Sequence, residues 1–142
     1  MKISYLLIFV CTTMLLGACT SFRPDHKKDE IPMPEFGKAT IHGRLISKLS
    51  GQPMGNTIVR IGEVFRQGNE GIFLMDEGRS PGARTNADGY FIFNNVEPLE
   101  FVIVVEKTEG LYKVIDDGTD KPMIWKVEAN QVLDVGVVKI DF

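Results

Sequence analysis

Few side chains in this chain could carry chemistry, and their spacing limits what they can do. Its 142 residues hold two histidines and two cysteines. His26 stands beside Lys27 and Lys28 in a stretch without hydrophobic period, where solvation accounts for all three. That leaves His42 for any hydrolytic site. Zinc needs several correctly spaced His, Cys or carboxylate ligands, and a Ser-His-Asp arrangement needs a base held between an acid and a nucleophile. No such motif surrounds His42, and strand alternation puts it on an outer face. Asp116, Asp117 and Asp120 crowd into Asp116-Asp117-Gly118-Thr119-Asp120. Calcium takes roughly 6 to 8 oxygens, and this turn matches no full calcium-loop spacing, so a solvated acidic turn is the better reading. The loop Asp76-Glu77-Gly78-Arg79-Ser80-Pro81-Gly82 is either a plain connection or a ligand-facing insertion presenting Asp76, Glu77 and Arg79, since long loops often carry function. No catalytic residue, metal or cofactor is expected.

The N-terminus places the rest. Lys2, the apolar run Ile3 to Leu16 and the small residues after it read as an export signal over residues 1–18. The run falls short of the roughly 20 residues that span a membrane. Leu16-Gly17-Ala18-Cys19 resembles the bacterial lipobox. That resemblance implies a diacylglyceryl group on the Cys19 thiol, cleavage before Cys19, and acylation, as with palmitate, of the new amino terminus. Several chains at about 0.8 kcal/mol per buried methylene anchor stably. Thr20 and Ser21, with no aspartate beside the cysteine, imply sorting to the outer membrane in a Gram-negative cell. Cys11 leaves with the signal, so no internal disulfide can form and stability must come from an ordinary core. The whole chain has a formal net charge of −3, and losing Lys2 makes it −4. Nothing here supplies the concentrated basic face of a nucleic-acid binder.

Residues 19–37, with Pro24, Pro32, Pro34 and mixed charges, read as the lipidated cysteine and a flexible tether. Fully extended it would reach on the order of 60 Å at about 3.3 Å per residue. From 38 to 142 short apolar runs alternate with Gly, Pro, Asn and Asp, the pattern of an all-β domain. Ala39, Ile41, Gly43 and Leu45 share the inner face of a first strand, with Thr40, His42 and Arg44 outside. Thr57 to Ile61 form a second. Strands are expected near 63–66 and 71–75, then a loop over 76–83. Ala87-Asp88-Gly89 makes a tight turn into a strand whose Phe91 and Phe93 fill the core. Phe101 to Val105 form a strand buried on both faces or nearly so, and Leu111 to Ile115, Met123 to Val127 and Val132 to Ile140 complete the set. The expected architecture is an antiparallel β-sandwich of seven to eight strands.

Gly43, Gly51-Gln52-Pro53-Met54, Thr85-Asn86-Ala87-Asp88-Gly89-Tyr90-Phe91-Ile92-Phe93, Asn95-Val96-Glu97-Pro98 and the closing Leu133 to Val138 resemble the carboxypeptidase regulatory-like domain, a prealbumin-like, immunoglobulin-like sandwich. Pro98-Leu99-Glu100-Phe101 departs from it where the family commonly has Pro-Gly and an aromatic residue. A sandwich fixes no function. The expectation is a non-enzymatic, lipid-anchored envelope lipoprotein, held to the membrane through Cys19. Its domain would be a binding module contacting carbohydrate, cell wall or another envelope protein, and not nucleic acid, through an exposed sheet face or a ligand-facing loop, 76–83 or 116–120 with Asp116, Asp117 and Asp120. The runner-up is an accessory subunit of an export or surface-assembly complex; an enzyme of unrecognised type comes third.

Overall fold

Alternation between Ala39 and Ser47 becomes strand β1, whose Ala39, Ile41 and Leu45 are fully buried while His42 and Arg44 line the opposite face. The computed structural model describes residues 30–68, 70–76, 80–108 and 110–142. The signal, Cys19, Glu77 and Arg79 thus lie outside the described residues. After β1 come β2 (Ile58–Gln67), β3 (Glu70–Leu74), β4 (Gly82–Arg84), β5 (Tyr90–Val96), β6 (Leu99–Thr108), β7 (Leu111–Val114), β8 (Trp125–Val127) and β9 (Val132–Ile140). One sheet has the order β5-β1-β9. The other runs β3-β2-β6-β7, with β4 added to β2 and β8 to β6.

This is the all-β sandwich read from the sequence, with nine strands among the described residues rather than seven or eight. Three details differ. The runs expected at 57–61 and 63–66 are one continuous strand, β2, because Gly62 between them stays extended and pairs with Val102. Gly82 and Ala83, expected at the end of the 76–83 loop, instead join Arg84 in β4, which pairs with Ile58–Arg60. The closing strand β9 lies parallel to β1, Ile41 beside Leu133 and Leu45 beside Val138, so the sheets are not wholly antiparallel. No hairpin links β1 and β9, and only a tight hairpin would oblige them to be antiparallel.

The core lies between the sheets. Phe91 and Phe93 meet edge to face with centroids 5.7 Å apart, and Phe101 stacks on Trp125 at 5.8 Å. Val102 and Val104, on the reverse face of β6, are buried as well. Gly62 allows this, since a Cβ there would stand 3.0 Å from Val102 Cγ2 and 3.2 Å from Phe73 Cδ2; its bare backbone lets Phe73 of β3 lie over the sheet.

The turn before β5 is held by short side chains. Asn86 Oδ1 accepts from the N–H groups of Asp88 at 3.0 Å and Tyr90 at 2.9 Å, a closed loop typical of Asn in turns. Gly89 adopts φ 82°, and its carbonyl accepts from Leu45 N at 2.8 Å. Buried Thr85 joins this turn to its neighbours, its Oγ1 donating to Met54 O at 2.6 Å and accepting from Thr57 N at 2.9 Å. The end of the stretch read as tether is fastened to the domain. Glu35 N donates to Asn95 Oδ1 at 2.8 Å, Asn95 Nδ2 to Glu35 Oε1 at 2.9 Å, and Gly37 N to Asn130 Oδ1 at 2.8 Å.

Candidate functional site

The acidic turn is built by its own aspartates. Asp116 Oδ1 accepts from Gly118 N at 2.9 Å, and Asp117 Oδ1 accepts from Thr119 N at 2.8 Å and Thr119 Oγ1 at 2.6 Å. Gly118 and Asp120 take positive φ. The Thr119 hydroxyl and then the Thr119 N–H hold the Asp117 carboxyl below its ordinary 3.8, opposed by desolvation and helped further by Lys121. Among the described residues no three His, Cys, Asp or Glu side chains gather as metal ligands. Asp116 and Asp117 shape the turn, and Asp120 projects from it exposed.

Asp76 and Ser80 bond to each other directly, Asp76 N donating to Ser80 Oγ at 2.9 Å and Ser80 N to Asp76 O at 2.7 Å. Asp76 and Ser80 rim a cavity of about 270 Å³ whose apolar walls include Ile61, Phe65, Leu74 and Leu99. Beyond the cavity the β2–β3 hairpin carries large apolar side chains into solvent. Phe65 pairs across the hairpin with Ile72, and Phe65, Ile72 and Leu74 are 44, 64 and 57% exposed. Among the described residues β3 is bonded to β2 alone, so its other edge presents unpaired backbone groups. Scattered exposed apolar residues are ordinary; three together beside a cavity and a free edge are not.

A second concave region lies on the outer face of the β5-β1-β9 sheet. Cross-strand register places Asp134 beside His42, and Val137 and Tyr90 on either side of Arg44. Asp134 Oδ1 lies 3.6 Å from His42 Nδ1, too long for a hydrogen bond, and accepts from Gly136 N at 2.8 Å. Arg44 donates through Nε to Asp88 O at 2.8 Å, with its guanidinium carbon 5.2 Å from the Tyr90 ring centre. His42 is on the outer face as alternation required, its side chain only 12% exposed.

The loop containing Asp76 thus borders one candidate site, whereas the aspartates of 116–120 form none with it. Sequence reasoning did not single out Arg44, Tyr90 and Asp134 together, and although it placed Phe65 near 63–66 and Ile72 and Leu74 near 71–75 in strands, it did not assign them to an exposed surface. A glycine inside a strand, Gly136 after Asp134-Val135, was the available signal for the first group, since such a glycine often marks a bulge.

No family model matches the chain, and no curated protein does. Solved structures with a similar fold include a candidate carbohydrate-binding protein from Pseudomonas aeruginosa, 17% identical over 82% of this chain and 99% of its own, with a TM-score of 0.47. The major pilin subunit of Bacillus cereus is 13% identical over 73% of this chain and 30% of its own, with a TM-score of 0.44. A DUF3823 family protein from Parabacteroides merdae is 13% identical over 74% and 46%, with a TM-score of 0.41. This chain therefore spans less than half the length of the latter two. None of these likenesses bears on what it binds.

Proposed function

We propose that this protein is a lipid-anchored component of the cell envelope whose β-sandwich is a non-catalytic interaction module, docking another envelope protein on the β2–β3 hairpin beside Asp76 and Ser80. The observation that carries this reading is the exposed trio Phe65, Ile72 and Leu74 beside the open edge of β3. An extended segment of a partner would gain main-chain hydrogen bonds along that edge and bury apolar side chains on the trio, the mode of β-strand addition. Burial yields roughly 25 cal/mol per Å² of apolar surface, which a mostly polar sugar would use poorly. Acyl chains on Cys19 would hold the module at a membrane surface, the outer membrane in a Gram-negative cell, where its partner is also confined.

The test is affinity capture of the full-length lipoprotein after crosslinking in intact cells, comparing wild type with Ile72→Lys. Ile72 is 64% exposed, so circular dichroism should not change. The wild type is expected to recover a stoichiometric partner that the variant loses. Equal recovery by both would reject the hairpin as the docking surface.

A further inference from the structure

The concavity on the β5-β1-β9 sheet has a composition that the docking hairpin does not use. Between Asp134 and Val137, β9 sets Val135 and Gly136 against the single residue Gly43 of β1, which shifts the register. Gly136 takes φ 74°, so the strand bulges and the sheet surface dips beside it. The dip encloses about 210 Å³, lined by His42, Arg44, Tyr90, Asp134 and Val137 around the two glycines. At roughly 30 Å³ per water that is space for about seven waters, comparable to one sugar ring.

Charge decides what could fill it. Arg44 contributes a fixed positive charge and Asp134 a negative one. A plain anion that reached Arg44 would face Asp134, and a plain cation at Asp134 would face Arg44. A ligand must therefore accept and donate hydrogen bonds within one small frame and carry no net charge. The available groups match that demand. Arg44 commits Nε to Asp88 O, and among the described residues its two Nη groups have no hydrogen-bond partner. Asp134 commits Oδ1 to Gly136 N, leaving Oδ2 to accept. The Tyr90 hydroxyl both donates and accepts, and His42 offers a ring nitrogen of either kind. Val137, 54% exposed, adds an apolar wall for a C–H face.

We propose that this dip is a binding site for a neutral polyhydroxylated ligand, a saccharide unit, whose neighbouring hydroxyls accept from Arg44 and donate to Asp134. It shares no residue with the β2–β3 hairpin, so either site can fail without the other.

The test is nuclear magnetic resonance of the full-length, ¹⁵N-labelled lipoprotein in detergent micelles. Probes are glucose, maltose, cellobiose, N-acetylglucosamine and its tetramer, with sodium glucuronate and spermidine as charged controls. At least one neutral saccharide is expected to shift the Gly43, Tyr90 and Gly136 amides. Asp134→Asn, which keeps the Oδ1 acceptor for Gly136 N, and Tyr90→Phe, which keeps the ring beneath Arg44, should each weaken binding about tenfold or more, while Ile72→Lys should leave it unchanged. Tighter binding of tetramer than monomer would assign the ligand to a polymeric glycan, and equal binding to a free sugar. No shift with any neutral saccharide, binding of glucuronate or spermidine alone, or undiminished affinity in both variants would overturn the proposal.

Discussion

Gly43 of β1 lies so close to Val135 of the β9 bulge that a Cβ added to it would stand 2.6 Å from Val135 Cγ2, with Phe91 Cζ only 2.9 Å away. Both neighbours are packed, one by the bulge and one in the core, so neither has room to retreat. Gly43→Ala should destabilise the domain by about 1–3 kcal/mol, the usual cost of overpacking. A urea titration checks this, as a lower midpoint at unchanged slope. An unaltered midpoint would mean that the bulge yields freely.

Thr85 has the same standing for the turn before β5. Its hydroxyl, on a residue only 3% exposed, bridges Met54 O and Thr57 N. Thr85→Val keeps the shape and removes both bonds, and should cost about 1–3 kcal/mol. Thr85→Ser should stay near wild type by thermal unfolding. If Thr85→Ser loses stability and Thr85→Val does not, the methyl group and not the hydroxyl is what matters.

Alternation made Ile41, Leu45, Phe91 and Phe93 legible as core, and Asp88-Gly89 legible as a turn, because these signals lie within a few residues of one another. The partnership of β1 and β9 was not, since residues as far apart as His42 and Asp134 meet only through register. For the same reason the candidate dip was hidden although His42 and Arg44 were correctly placed on the outer face. The hairpin was obscured differently. Phe65, Ile72, Phe73 and Leu74 look like core in composition, yet β3 is exposed along its whole length, and hydrophobicity alone does not say which apolar residues a fold will leave outside. Thr85 was part of a recognised motif, but its hydroxyl's two bonds are tertiary and leave no trace in spacing.

Asp117 gives a pH prediction. Its carboxyl sits below the ordinary 3.8 chiefly because the Thr119 hydroxyl bonds to the charged form. A folded pKa below the unfolded one means a contribution fully present above about pH 4 and lost as pH falls through the lower, folded value. A carboxyl-carbon titration should place the Asp117 midpoint below 3.8, with the Thr119 amide moving in step. Asp117→Asn should abolish that coupled movement. A midpoint at or above 3.8 would contradict the hydrogen-bonded turn.

The proposed anchor rests on Leu16-Gly17-Ala18-Cys19. Cys19→Ser should accumulate uncleaved, unlipidated precursor that no longer labels with radioactive palmitate. Normal processing and unchanged detergent partitioning would refute lipidation at Cys19.

The proposed docking hairpin is open to the most direct measurement, site-resolved photo-crosslinking in living cells with a photoreactive residue at one position at a time. Positions 72 and 74 should capture one and the same envelope protein, while the exposed positions 48 and 120, at Lys48 and Asp120, should not. No adduct at 72 or 74, or the same adduct from all four positions, would contradict the hairpin as the place where this module meets its partner.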